Sequence, residues 1–449
     1  MAGLDVLRKG GNAIDAGVAV GLALNIVHAD DCGFLGVAPT IMYLAGRKEV
    51  TTIDGLGVWP KAASIEYFQR KHKGQMPRGI PRALTPGAAD AWFTALARYG
   101  TMTFGEVSAT AIGLAGQGFP MYRYLSDRLR DAFDLYAEWP SNAEIFLPEG
   151  RAPAVGEMFY QKDAAETLAK LAAVEDSNRA LGREGALLAA RDFVYKGELA
   201  QTIVSFYQAH GGLLTVADLA EYKVRIEPPV TVNYHGYDLY SCGPWCQGPV
   251  LPQALKILEG FDLKAMGHNS AEYVHAATQA LNLAFADREQ YIGDPAFVDV
   301  PIEEMMSEAY IGERRTLIDP NLAWPVTPPA GSITGTGGQG GSLNAESKAG
   351  RGSAAGMPPW LLPPIAVQVS SPAKATSRRR SRSRSCAARE HSRGSAAPRA
   401  TTALGCGAPD AGVYWRRRFF FRSLRAASME TKRPTSPAAE EILGGYFPV

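Results

Sequence analysis

The sequence predicts an α+β fold built of packed layers. Three observations carry this expectation. Strands come as hairpins set between groups of helices, whereas single strands alternating with helices would suggest a doubly wound parallel sheet. One stretch, residues 13–27, is apolar or glycine at nearly every position, the pattern of a helix buried on all sides. Finally, periodic patterning runs from Met1 to about Trp324 and then stops.

The chain opens on a short amphipathic helix, Leu4-Asp5-Val6-Leu7-Arg8, ended by Gly10-Gly11, since glycine accepts the left-handed conformation found just past helix ends. Asn12 reads as the N-cap of the next helix, with Asp15 at the capping-box position. That helix is too short to span a membrane, which needs about 20 apolar residues. Residues 30–39 form a glycine-punctuated turn. Residues 40–44 and 49–54 read as a hairpin around Ala45-Gly46-Arg47. Gly55-Leu56-Gly57 interrupts the pattern at the strand end and reads either as a ligand loop or as a plain turn.

Helices follow from Thr85-Pro86-Gly87 to Tyr99 and from Thr103 to Ala115, and residues 120–218 are mostly helical. That region includes a helix over residues 198–210 and a capping signature at Thr215-Val216-Ala217-Asp218. A second hairpin spans residues 230–234 and 237–241, turned by His235-Gly236. A Gly/Pro loop over residues 242–252 leads to a helix over 253–259, and a long helix covers residues 271–289.

Composition is restrictive in a few respects. The formal net charge of the 449-residue chain is +1, so overall charge names no partner. Of five cysteines, Cys242 and Cys246 form one close pair without a second, whereas zinc patterns need two; the thiols read as free or as small core residues. No metal site and no cofactor are expected. No signal peptide is visible after Met1, so the chain as written is expected in the cytoplasm, or in the periplasm or outside the cell if its true start lies upstream.

Other motifs carry little. Gly335-Thr336-Gly337-Gly338-Gln339-Gly340 matches a dinucleotide fingerprint but lacks the flanking strand and helix. There is no G-x-S-x-G elbow. The seven histidines show no metal-ligand spacing, and His210 and His235 read as surface or turn residues. Asp30-Asp31 reads as a turn or as a carboxylate site. The Arg/Ser run at residues 377–385 and Arg416-Arg417-Arg418 could meet phosphates. No nucleic-acid-binding module accompanies them, so nucleic acid is not an expected partner, nor is a membrane.

The order of landmarks is more informative. They include Leu7-Arg8-Lys9-Gly10-Gly11-Asn12-Ala13-Ile14-Asp15-Ala16, Leu84-Thr85-Pro86-Gly87, Tyr195-Lys196-Gly197, and Gly211-Gly212 with Leu214-Thr215 and Asp218. They end with Ala284-Phe285-Ala286-Asp287-Arg288 and then Tyr291, Gly293, Asp294 and Pro295. In this order and spacing the chain resembles the large subunit of the gamma-glutamyltransferase (gamma-glutamyltranspeptidase) family. The resemblance implies an N-terminal-nucleophile hydrolase with an αββα sandwich, incomplete in this chain. It also implies a proenzyme that cuts itself before a threonine into a large/small subunit heterodimer. The freed threonine attacks a gamma-glutamyl or related acyl amide, with its own α-amino group as base, and passes the acyl group to water or an amine.

Two departures qualify this. Relatives that bind gamma-glutamyl groups carry an arginine just after the first hairpin, where a guanidinium grips the substrate carboxylate. Here Asp54-Gly55-Leu56-Gly57-Val58 carries none, and Gly55 and Gly57 are the candidate substrate-binding residues. Secondly, no threonine after the Pro/Gly linker opens a strand of the type T-T-H-x-x-V-x-D. Thr334, Thr336, Thr376, Thr401 and Thr402 all lack what should follow, so no catalytic residue is assigned. The expected organisation is a large-subunit-like region over residues 1–325, a Pro/Gly linker over 326–345, and an Arg/Ser/Ala/Pro-rich tail over 346–449 that reads as disordered or as a frame-shifted translation. The alternative function is a catalytically inactive relative or a truncated fragment.

Overall fold

In the computed structural model of the chain, residues 1–333 are described. The linker beyond residue 333, the tail, the glycine fingerprint, both arginine runs and the five threonines named above lie outside the described residues.

The N-terminal landmark forms as its sequence requires. Helix Ala2–Arg8 stops before the glycine pair, and helix Ala13–Val27 begins on Asn12. The Asn12 side chain accepts the backbone N–H groups of Ile14 and Asp15 (2.8 and 3.0 Å), and Asp15 accepts that of Asn12 at 2.8 Å. Asp15 does more than cap. Fully buried, it also accepts the N–H and hydroxyl of Thr101 and the N–H of Met102, tying this helix to the start of helix Phe104–Gln117. Those hydrogen bonds outweigh burial and hold its pKa below the usual carboxylate value.

The expectation that helix Ala13–Val27 is buried all round is corrected. Val18, Ala19, Leu22, Ala23 and Ile26 face the core, but Ala13, Gly17, Val20 and Leu24 form an exposed stripe at helical spacing. Residue type reports how apolar the helix is; which side is covered depends on the elements packed against it.

The first hairpin pairs Thr40–Leu44 with Glu49–Ile53 antiparallel, and Ile226–Glu227 adds a short third strand on the Glu49–Ile53 edge. The second hairpin, Val230–Tyr234 with Tyr237–Ser241, forms a separate two-stranded sheet, and Phe119–Pro120 with Met158–Phe159 makes another. Capping boxes at Thr103/Glu106 and Thr215/Asp218 start helices Phe104–Gln117 and Val216–Glu221. The long helix runs Ala271–Tyr291, one turn of its C-terminal end carrying the Asp287 and Tyr291 contacts described below. His210 and His235 are exposed, at a helix end and a hairpin turn. Among the described residues, no helix is long and apolar enough to cross a membrane.

Candidate functional site

Three backbone segments meet where the first hairpin ends. Residues 54–58 leave the strand, residues 36–38 come from the turn after the central helix, and residues 85–88 lead into helix Ala88–Tyr99. Gly36 O accepts the N–H groups of Gly87 and Ala88 (3.0 and 2.9 Å), Gly55 O accepts that of Ala38 (2.8 Å), and Val58 O accepts that of Thr85 (2.9 Å). Gly55 and Gly57 have φ of +50° and +80°, and a Cβ on either would collide with a carbonyl oxygen, of Ala38 or Thr85 respectively. The seam thus supplies a backbone reason for both glycines.

Asp54 organises the mouth of this seam. Its Oδ1 accepts the N–H of Gly55 (2.6 Å) and of Arg225 (3.0 Å), and its Oδ2 accepts Arg225 Nε (2.8 Å). Arg225 also lies 3.3 Å from Asp294 and 3.6 Å from Glu227, so one guanidinium serves three carboxylates. Burial opposes its charge, but the hydrogen bond and charge of Asp54 outweigh this and raise its pKa.

A buried layer holds Arg225 in place. Asp90 accepts Arg191 Nε (2.7 Å) and Nη2 (3.1 Å) and the N–H of Val224 (2.8 Å). Arg191 donates to Tyr222 O (2.5 Å), and Tyr195 OH bridges Pro86 O and the Asp90 N–H. Tyr222 OH accepts the N–H of Gly57 (3.1 Å); burial, then the charge of Asp54, pushes this phenol's pKa up, so it stays protonated. Asp54 and Gly57 of the loop are thereby locked to Arg225 and Tyr222, in a segment about 170 positions away in sequence.

Of the residues singled out from sequence, Gly55 and Gly57 lie in this seam. Sequence reading missed Arg225, Tyr222 and Asp294 as their partners. The available signal was Asp54 itself, an acid just past the buried end of the strand at Thr51, Thr52 and Ile53, which needs a counter-charge.

Asp30-Asp31 stands elsewhere, in the turn after the central helix. Asp30 is fully buried, 2.9 Å from His28 Nδ1 and 3.5 Å from Arg128 Nε, while Asp31 lies 3.4 Å from His28 Nε2. The three donor side chains lie within 4.8 Å of one another, yet Arg128 already supplies the positive charge a cation would bring. The cluster ties the turn to helix Arg123–Asp131.

The fold class is α+β, that of N-terminal-nucleophile hydrolases, as solved relatives show. The structure superposes on gamma-glutamyltranspeptidase from Helicobacter pylori with a TM-score of 0.67 at 29% identity, covering 76% of this chain and 95% of that one. For a cephalosporin acylase from Bacillus halodurans the TM-score is 0.63 at 32% identity, covering 71% of this chain and 57% of that one. The family model described as gamma-glutamyltranspeptidase matches residues 1–342, and the chain belongs to that family. It is 36% identical over 329 residues to the Acylase ACY 1 proenzyme of Pseudomonas sp. (strain SE83), covering 71% of this chain and 56% of the relative. It is 33% identical over 329 residues to a glutathione hydrolase proenzyme of Escherichia coli, covering 72% and 54%. The chain therefore spans about half the length of the curated relatives it matches.

Proposed function

We propose that the chain is the large-subunit part of an amide hydrolase or acyltransferase that has no grip for an α-carboxylate on its acyl donor, with Gly55 and Gly57 lining the acyl site. One observation carries this reading. The position after the first hairpin, where gamma-glutamyl binders of the family place an arginine, holds no cation of its own. The guanidinium that approaches it, Arg225, is already shared among Asp54, Asp294 and Glu227. A substrate carboxylate arriving there would face an excess of negative charge. Relatives of both kinds exist in the family, named as acylase and as glutathione hydrolase proenzymes, so a change of acyl group is within its range.

The test is hydrolysis of a gamma-glutamyl anilide and a butanoyl anilide by this chain co-expressed with an intact small subunit from a relative. Comparable rates, within about tenfold, are expected. A preference for the gamma-glutamyl anilide of about a thousandfold or more, the signature of a site built to bind the missing polar group, would overturn the proposal.

The second reading, an inactive relative or fragment, is favoured by the absence after Gly331 of any threonine opening a T-T-H-x-x-V-x-D strand. On that reading the chain alone does not process itself. A denaturing gel should show one chain; two chains, split before a threonine, would rule the reading out.

A further inference from the structure

Residues 242–246 read Cys-Gly-Pro-Trp-Cys and lie in the loop between the second hairpin and helix Val250–Leu258, outside the seam at residues 54–58. The loop folds back tightly on itself. The N–H of Cys246 donates to Gly243 O (3.2 Å), and Ser241 Oγ donates to Gly248 O (2.6 Å). Gly248 presses so closely on the Cys242 carbonyl that a side chain there would not fit. This sets the two thiols close enough for each to shift the other's titration. The N–H of Gly248 points at Cys246 Sγ from 3.3 Å. Cys242 is buried at 5% exposure, whereas Cys246 is half-buried.

We propose that Cys242 and Cys246 form a redox-active dithiol toward peroxide-class oxidants, with Cys246 the attacking thiol and Cys242 the resolving one. The two sulfurs are polarised for these roles. The neighbouring Cys242 thiol lowers the pKa of Cys246 against the opposing effect of burial, helped by the Gly248 N–H and the charge of Arg288. Cys242, the less exposed of the two, has its own pKa raised by the neighbouring Cys246 thiol and by burial.

The chemistry balances. The Cys246 thiolate attacks one oxygen of hydrogen peroxide and the O–O bond breaks. Hydroxide leaves and is protonated to water, and Cys246 becomes a sulfenic acid. The Cys242 sulfur then attacks the Cys246 sulfur. The S–S bond forms, the S–O bond breaks, and the hydroxyl departs as water with the Cys242 proton. Two thiols are oxidised by two electrons and one peroxide is reduced to two waters. A dithiol reductant reverses the couple by thiol–disulfide exchange.

The full chain is treated with one equivalent of hydrogen peroxide, blocked with N-ethylmaleimide, digested and mapped by mass spectrometry. The expected result is an internal disulfide in the peptide holding residues 242 and 246, formed at least about tenfold faster in the folded chain than in urea, with Cys32 still alkylated. Cys32 is the internal control, since burial and then the charges of Asp31 and Asp30 push its thiol pKa up. In Cys242→Ser, oxidation should stop at a sulfenic acid on Cys246 that dimedone captures. Equal rates in folded and unfolded chain would overturn the proposal, because they would assign the pairing to sequence proximity. Alkylation of Cys246 no faster than that of Cys32 in the untreated folded chain would also overturn it, and needs no variant.

Discussion

From residue 2 to residue 222 the buried side chains form one continuous apolar cluster. From residue 250 to residue 333 they fall into three small ones, around Ile257 and Leu283, around Val250 and Ala284, and around Met305 and Ile333. Polar contacts fill the difference. Asp287, fully buried, accepts Gln253 Nε2 (2.6 Å) and the N–H of Gly331 (2.9 Å), and its Oδ1 lies 3.1 Å from Arg314 Nη2 in an ion pair. Arg314 reaches on to the carbonyls of Leu283 and Pro329, and Tyr291 OH donates to Gly331 O at 2.5 Å. Arg315 covers the carbonyls of Lys256 and Ile257 at the end of helix Val250–Leu258, as a cation at a helix C-terminus should. The first region is held by area removed from water, summed over many close-packed side chains. The second is held by a few directional contacts around one buried carboxylate, where a single loss leaves another charge unpaired.

The largest expected effect tests the first half of this contrast. Phe93 is fully buried and stacks on Phe104 with ring centres 4.7 Å apart. Phe93→Ala should cost about 4 kcal/mol, the usual penalty for an aromatic deleted from a close-packed core. Urea unfolding followed by circular dichroism reads it. A loss below about 1 kcal/mol would mean that the cluster is not one packed unit.

Asp287→Ala should cost about 3 kcal/mol by leaving Arg314 buried without its counter-charge. The regional contrast sets where the damage appears. Hydrogen exchange should quicken in helices Ala271–Tyr291 and Glu308–Thr316 and in the segment reaching Gly331, while helix Phe104–Gln117 keeps its protection. Replacing both partners, Asp287→Leu with Arg314→Met, should recover much of the loss. Uniform loss of protection across both regions would erase the distinction drawn here.

These two regions were unequally legible in the sequence, for a physical reason. Capping boxes relate residues three apart, so Asn12/Asp15 and Thr215/Asp218 could be read directly, and so could the His235-Gly236 hairpin. Motif order carried the family. Long-range polar pairing left no such trace. Nothing near Asp54 names Arg225, and nothing near Asp287 names Arg314, because each pair is made by the fold rather than by a local backbone geometry. The open stripe of the central helix was illegible for a related reason, since apolar composition does not say which neighbours arrive.

The seam at residues 54–58 offers a smaller test, within the first region but away from its apolar core. Gly57→Ala should cost about 1–3 kcal/mol, combining a positive φ with the approach to Thr85 O. In the co-expressed enzyme it should lower turnover more than overall stability suggests, because the loop must shift. Gly46→Ala, in the exposed hairpin turn with open space around it, is the matched control and should change little. Equal effects at the two positions would remove the structural ground for placing the loop in the acyl site.

The subtlest test turns on sign. Asp15 and Asp287 are both fully buried carboxylates, one in each region, and their pKa values move in opposite directions. At Asp15 burial is overcome by the Thr101 hydroxyl and the N–H groups of Asn12, Met102 and Thr101. At Asp287 burial prevails over the Gly331 N–H and the charge of Arg314. An unfolded aspartate titrates near about 3.9. With its folded pKa below that, Asp15 contributes stability that is fully present above about pH 4 and lost as pH falls through the folded value. With its folded pKa above it, Asp287 favours the folded state most at low pH, and that contribution declines as pH rises from about 4 to the folded value. Stability relative to Asp15→Asn should therefore rise with pH across the acid range, and stability relative to Asp287→Asn should fall. Slopes of the same sign would mean that the two carboxylates share one environment, and that the contrast between an apolar core with polar seams and a polar hub with small apolar clusters does not extend to their electrostatics.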